Sequence, residues 1–148
     1  MRELCTIGYT KKGLREFIRR LRDAGVDCLV DVRLNNTSQL AGYAKRDDLE
    51  FLLAEGFDIG YTHMAELAPS EEMLADYKSG KDWDAYTARY ARLVDERDMA
   101  SRFLAAAEAN GWIRPCLLCA EDSSDKCHRR LLAEAIAARV AGLNVRHL

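Results

Sequence analysis

The stretch CLVDVRL, residues 28–34, is rich in apolar and β-branched residues. Such a run is typical of a β-strand that is covered on both faces, as strands are in parallel sheets. Just before it, the apolar residues between positions 14 and 21 repeat at the spacing of an amphipathic helix. We expect Thr10 to cap the start of this helix and Gly25 to follow its end in a left-handed conformation. The two patterns together predict a helix that leads into a buried strand.

Strand and helix patterns alternate along the rest of the chain. Further strands are predicted at 4–9, 58–63, 115–120 and 144–148. Helices are predicted over about 47–56, 70–78, 83–94, 99–110 and 126–141. The alternation predicts an α/β fold, with one domain over residues 1–148 and a mostly parallel, Rossmann-like sheet flanked by helices.

The composition is that of a globular protein, with 49% hydrophobic and 31% charged residues. No apolar run approaches the roughly 18 residues of a membrane span, so no membrane partner is expected. The first residues lack the apolar core of a signal peptide, which predicts a cytoplasmic location. Five cysteines without an export signal favour free thiols or metal ligands over a disulfide framework.

Polar and reactive residues follow several of the predicted strands. Gly8, Arg33 and His63 lie at the ends of three strands, and Cys119 and Glu121 close a fourth. Open α/β sheets bind ligands beyond the carboxyl ends of their strands, usually where the strand order reverses. We therefore expect a pocket at this edge of the sheet.

One segment, CLLCAEDSSDKCHRR at 116–130, concentrates three cysteines, a histidine and two arginines. A metal site is one interpretation, with Cys119, Cys127 and His128 as ligands. The two-residue spacing between Cys116 and Cys119 resembles a zinc knuckle, but it lies on a predicted strand, where positions three apart point to opposite faces. Cys116 should therefore be buried and bind no metal. A redox pair of Cys119 and Cys127 is another interpretation, although it lacks the spacing of a thioredoxin-like motif.

A third interpretation of this segment is a ligand pocket. The loop 123–125 is expected to cap a helix that starts near Lys126. The first turn of that helix would carry Cys127, His128 and Arg129. Unpaired N–H groups at a helix start attract anions, and an arginine there strengthens the attraction. A cysteine in this position can have a lowered pKa, which makes it a better nucleophile.

Several separate motifs share a resemblance to one bacterial family. The motifs are TIGYT at 6–10, LVDVR at 29–33, YTH at 61–63, LLCAE at 117–121 and CHRRLLAE at 127–134. Together they resemble the family known as domain of unknown function 488. The resemblance implies an α/β fold and a shared site, without implying a particular reaction. The site residues that it implies are Gly8, Arg33, Ser38, Cys119, Glu121, Cys127, His128 and Arg129.

A basic stripe runs along the first predicted helix. Its members are Lys11, Lys12, Arg15, Arg19 and Arg22. Their spacing suits contact with a phosphate backbone, and it equally suits a solvated helix face. A net charge of -2 at pH 7 disfavours extensive nucleic-acid binding, so any such contact would be local.

These patterns lead to one favoured hypothesis, a pocket at the carboxyl edge of the sheet that binds a phosphate-bearing anion such as a nucleotide or a nucleic-acid end. The predicted anion-binding residues are Gly8, Arg33, Ser38 and Arg129. The predicted catalytic residues are Cys119, Glu121, Cys127 and His128. Either cysteine could act as a nucleophile, with Glu121 as acid or base, and no cofactor is predicted. The alternatives are a metal-binding module that uses Cys119, Cys127 and His128, and a non-catalytic interaction domain.

Overall fold

The structure is a computed structural model that describes residues 1–37 and 39–148. Its strands are β1 (Glu3–Gly8), β2 (Cys28–Asp31), β3 (Gly60–His63), β4 (Pro115–Cys119) and β5 (Asn144–His147). Its α-helices are α1 (Leu14–Asp23), α2 (Arg46–Phe57), α3 (Glu71–Gly80), α4 (Trp83–Glu96), α5 (Met99–Ala109) and α6 (His128–Ala137). None of the helices within the described ranges is long and apolar enough to span a membrane.

Within the described residues, the strands form one sheet in the order β3-β2-β4-β1-β5, and all neighbours run parallel. The predicted α/β fold with a parallel, Rossmann-like sheet is therefore confirmed. β4 lies between β1 and β2, although it comes much later in the chain, so the strand order reverses there. The last residue of β4, Cys119, is in register with Gly8 of β1. Cys119 thus stands where sheets of this kind usually bind their ligands.

Helices cover both faces of the sheet and bury its apolar side chains. One face packs against α1 and α2, through residues such as Phe17 and Leu53. The other face packs against α4, α5 and α6. The consecutive β4 residues Cys116 and Leu117 belong to opposite layers of the core. Cys116 is fully buried on the α1 side, and the alternation along the strand turns its side chain away from that of Cys119, as predicted.

The start of α1 differs from the prediction. The helix begins at Leu14 with Gly13 as its N-cap, and Thr10 does not cap it. The Thr10 hydroxyl instead donates to the carbonyl of Ala120 at 2.8 Å, and the Thr10 N–H donates to the same oxygen at 3.1 Å. Thr10 therefore links the segment after β1 to the segment after β4, the strand beside it in the sheet.

The start of α6 also differs from the prediction. The helix begins at His128, not near Lys126, and its N-cap residue Cys127 makes no side-chain capping bond. In the preceding loop, the Ser123 hydroxyl accepts from the N–H of Asp125 at 3.1 Å instead of capping the helix. The α-helix ends at residue 137 rather than near 141. The prediction that the loop 123–125 caps this helix is therefore wrong, because the N-cap position falls on Cys127, beyond the loop.

Candidate functional site

A cavity of about 180 Å³ opens at the carboxyl edge of the sheet, beside the end of β4. Five of the predicted site residues line it, although they come from distant parts of the chain: Arg33, Cys119, Glu121, Cys127 and His128. Much of the remaining wall is apolar and includes Pro69, Leu74, Tyr77, Trp83 and Tyr86. The strand order brings the reactive residues to one edge, and the helices α3 and α4 supply most of the apolar wall.

The central feature of the cavity is a thiol beside an imidazole. The sulfur of Cys119 lies 3.6 Å from Nδ1 of His128. The other ring nitrogen, Nε2, lies 3.1 Å from the carbonyl oxygen of Val32. A carbonyl can only accept, so Nε2 carries the hydrogen, and in the neutral ring the lone pair of Nδ1 faces the sulfur. The rings of His128 and Tyr90 also pack edge to face, with 5.5 Å between their centroids, which restricts the imidazole plane.

A second thiol completes a buried cluster at this position. The sulfur of Cys127 lies within 4.8 Å of the Cys119 sulfur and of the ligating nitrogen of His128. A hydrogen bond from the Cys127 thiol lowers the pKa of Cys119, against the effect of burial, and the charge of Arg129 adds to this lowering. The same interaction with Cys119, together with burial, raises the pKa of Cys127. The two thiols thus differ in character, with Cys119 as the better thiolate.

The other three cysteines are in surroundings that suppress ionisation. Burial is the main cause in each case. It raises the pKa of Cys5 to about 11 and that of Cys28 to about 11, and it also raises the pKa of Cys116. Because a thiolate is the reactive form of cysteine, these residues are inert members of the core at neutral pH.

Arg33 forms a buried ion pair with Asp31. Its Nε–H and Nη2–H donate to the two carboxylate oxygens at 2.8 and 2.6 Å, and its Nη1–H donates to the carbonyl of Ala44 at 2.8 Å. The carboxylate also accepts from the Tyr61 hydroxyl at 2.5 Å and from the Asn36 amide at 3.1 Å. Burial opposes the ionisation of Asp31, but the hydrogen bonds and charge of Arg33 outweigh it and hold the pKa of Asp31 below its usual value. Much of the Arg33 charge is therefore balanced inside the protein.

Two predicted anion-binding residues, Gly8 and Arg129, are not among the described residues that line the cavity. The buried guanidinium of Arg129 donates to the carbonyl oxygens of Glu121 and Asp122, and its Nε–H donates to the Thr6 hydroxyl at 3.4 Å. A side chain at Gly8 would place its Cβ 1.6 Å from the carbonyl oxygen of Glu121. Gly8 and Arg129 thus hold the segment after β4 in place, and the structure does not bring them to the ligand side.

The remaining predicted features are Ser38 and the basic stripe along the first helix. Ser38 lies outside the described residues. The basic stripe is interrupted, because Lys12 precedes α1, is buried, and pairs with the carboxylate of Asp122. The exposed members of the stripe that lie on α1 itself are Arg15, Arg19 and Arg22.

Some residues of the cavity were not predicted as site residues. Lys126 and Asn35 both line it. Asn35 directly follows the predicted 28–34 strand, and Lys126 precedes Cys127, so their positions beside predicted site residues were an available signal. The contribution of the Val32 carbonyl left no signal in the sequence, because any residue at this position supplies that oxygen.

The chain is thus an α/β protein with a parallel sheet, and Cys119, Cys127 and His128 line a cavity at the carboxyl edge of that sheet. Within that class, the chain is a member of the family described as domain of unknown function DUF488, whose family model matches residues 13–136. The match begins after the TIGYT motif at 6–10 and includes both LLCAE and CHRR. Comparison with curated proteins and with solved structures found no match.

Proposed function

We propose that this cavity is an active site in which the Cys119 sulfur attacks a small anionic substrate, with phosphate-bearing compounds such as nucleotides as the favoured class. The observation that carries the proposal is the pairing of Cys119 with His128, 3.6 Å apart on the cavity wall. Covalent catalysis requires a nucleophile beside a base that a third group orients. The carbonyl of Val32 is that third group, since it fixes which nitrogen of His128 is free to take a proton.

The proposed reaction has two steps. In the first, Nδ1 of His128 takes the thiol proton, and an electron pair of the sulfur forms a bond to the electrophilic centre of the substrate. The leaving group departs with the electrons of the bond that breaks, and His128 returns the proton to it. In the second step, the oxygen of a water molecule bonds to the same centre, the bond to sulfur breaks, and His128 transfers a proton from water to Cys119.

Two further side chains have supporting roles in this proposal. The Cys127 sulfur lies within 4.8 Å of the Cys119 sulfur, and its thiol lowers the pKa of Cys119, which favours the thiolate before attack. Glu121 lines the cavity from an exposed position. A carboxylate at the mouth of a site can orient the attacking water and exchange its proton with solvent.

The anionic part of the substrate would be held mainly by Lys126. This exposed residue lines the cavity, and it takes part in none of the ion pairs formed by the described residues. Arg33 contributes less charge because of its pairing with Asp31. Its hydrogen bonds within residues 1–37 and 39–148 use three of its five N–H groups, which leaves donor capacity for a ligand.

The apolar part of the cavity favours a small planar group. Trp83 and Tyr86 stack with 5.4 Å between centroids and an interplanar angle of 18°, and both line the cavity. A volume of about 180 Å³ is below the usual range for drug-sized ligands. A compound with one ring system against this wall and an anionic group near Lys126 would satisfy both parts of the site.

Replacement of Lys126 by alanine tests the anion site. We expect adenosine monophosphate and inorganic phosphate to slow the alkylation of Cys119 by iodoacetamide, because a bound anion covers the thiol. The apparent affinity of adenosine monophosphate should fall roughly fivefold in Lys126→Ala, since an exposed ion pair contributes about 1 kcal/mol. Peptide mapping by mass spectrometry gives the alkylation rate at each cysteine.

Arg130→Ala is the matched control for this experiment. Arg130 is four residues further along the chain and carries the same charge, but it pairs with Glu134 and is absent from the described cavity wall. Its replacement should leave the protection of Cys119 unchanged. Equal effects of the two substitutions, or no protection by either anion in the wild type, would contradict the proposed anion site.

A further inference from the structure

We infer that Cys119, Cys127 and His128 form a binding site for a divalent zinc ion, and that zinc in this site switches off the Cys119 nucleophile. The metal site follows from the geometry of the three side chains alone. The effect on reactivity rests on the proposed function, because it requires that Cys119 be the reacting thiol.

The distances among the three residues suit a single ion. One ligating atom from each residue lies within 4.8 Å of the others, and all three side chains are buried. Zinc binds cysteine sulfur at about 2.3 Å and imidazole nitrogen at about 2.0–2.1 Å, and a tetrahedral angle then separates the two ligand atoms by about 3.6 Å. The sulfur of Cys119 and Nδ1 of His128 lie 3.6 Å apart. The separation of these two atoms therefore already matches that of two ligands on one zinc ion.

The orientation of His128 also suits a metal ligand. Histidines that bind metals usually donate their other ring N–H to a carboxylate or a backbone carbonyl, which fixes the tautomer. Nε2 of His128 donates to the carbonyl of Val32 at 3.1 Å. The lone pair of Nδ1 is thereby directed to the thiols, and two soft sulfur ligands with one imidazole favour zinc over magnesium or calcium.

The set of three ligands indicates an accessible site rather than a closed structural one. Structural zinc sites have four protein ligands, whereas sites with three keep one position for water or another small ligand. All three residues line the cavity, so this position would be reached from solvent. Zinc could therefore enter and leave the folded protein.

Zinc binding would remove both reactive groups of the proposed mechanism. Each thiol loses a proton, so two protons are released, and the ion takes one electron pair from each sulfur and the lone pair of Nδ1. No oxidation or reduction occurs. The Cys119 sulfur then bonds to zinc and His128 can no longer accept a proton, so reaction with an electrophile stops until the ion leaves.

Zinc titration of the metal-free wild-type protein tests the site, with a chromophoric chelator as competitor. We expect one zinc ion per chain and more than about a tenfold fall in the rate of Cys119 alkylation when zinc is bound. Cys127→Ser should weaken zinc binding by more than about a hundredfold, since even loss of an outer partner of a ligand costs about 10- to 100-fold.

Cys116→Ser is the control, since Cys116 lies on the other side of the sheet, and it should bind zinc like the wild type. Cobalt(II) provides a measurement that needs no variant, because the wild type should show the thiolate-to-cobalt absorption of a site with two sulfur ligands. Absence of that absorption together with no zinc binding would overturn the metal site. Without zinc binding, rapid alkylation of Cys119 would still support the proposed function. The opposite result, zinc binding without reactivity of Cys119, would refute the proposed function and leave the metal site intact.

Discussion

Asp31→Asn should lower the free energy of unfolding by about 3–5 kcal/mol, because it leaves Arg33 as a buried charge without its counter-ion. Asp31 is fully buried and Arg33 is 4% exposed. The carboxylate accepts hydrogen bonds from Arg33, Asn36 and Tyr61, and an amide cannot satisfy all of these donors. Urea denaturation of the two proteins at neutral pH measures the difference.

The matched control is Asp47→Asn. Asp47 pairs with Arg46 at 3.8 Å on the surface, and its side chain is 93% exposed. Surface pairs contribute little, so this substitution should change the stability by no more than about 0.5 kcal/mol. A similarly small effect of Asp31→Asn would show that the buried pair does not hold the end of β2.

The difference between wild type and Asp31→Asn should depend on pH. The pKa of Asp31 in the folded protein lies below its usual value, so the stabilisation by the ionised carboxylate is fully present above the pKa of the unfolded chain, about 3.9. As the pH falls below that value, the unfolded state binds a proton first and the wild type loses its advantage. The difference between the two unfolding free energies should therefore be constant from pH 7 to about pH 5 and should shrink as the pH falls through about 4 toward 3. A difference that stays constant over this whole range would contradict the ionised pair.

His128→Gln should reduce the alkylation rate of Cys119 about a hundredfold at neutral pH. General bases contribute about 10²–10⁴-fold to rates, and this substitution removes the basic nitrogen that lies 3.6 Å from the sulfur. Glutamine can still donate an N–H toward the Val32 carbonyl, so the local packing is disturbed little. Alkylation that is quenched at a series of times and followed by peptide mapping gives the alkylation rate of Cys119 itself.

His63→Gln is the control for this substitution. His63 lies at the end of β3, where its Nε2 lies 2.9 Å from the carbonyl of Arg33, and it is absent from the described cavity wall. Replacement of His63 should leave the alkylation rate of Cys119 within about twofold of the wild type, because His63 exchanges no proton with Cys119 in the proposed reaction. A wild-type rate in His128→Gln would show that the imidazole does not act as the base.

The helices and strands could be predicted because each one depends on a local pattern of apolar and polar residues. Buried parallel strands have continuous apolar runs, and the stretch 28–34 is such a run. The strand itself is shorter, Cys28–Asp31, because the chain beyond it turns to the cavity and the Val32 carbonyl accepts from His128. Element types were therefore predictable, whereas element ends depended on contacts with distant segments.

The sequence predicted that several reactive residues would meet at one edge of the sheet, but it did not predict the directions of their side chains. Strand order and the direction of a parallel sheet were sufficient to gather Arg33, Cys119 and His128 at one edge. The inward direction of Arg129 depends on carbonyl oxygens after β4, and backbone atoms of this kind leave no mark in the sequence. The tautomer of His128 likewise depends on Val32, 96 positions away in the chain.

Competition among the five cysteines tests the central claim most directly. The metal-free wild-type protein is treated at pH 7 with less than one equivalent of iodoacetamide, and the label on each cysteine is counted by peptide mapping. We expect most of the label on Cys119, because it lines the cavity beside the Nδ1 lone pair of His128, while burial keeps Cys5, Cys28 and Cys116 protonated. Label that is spread evenly over the cysteines, or that reaches Cys127 before Cys119, would contradict the assignment of Cys119 as the nucleophile.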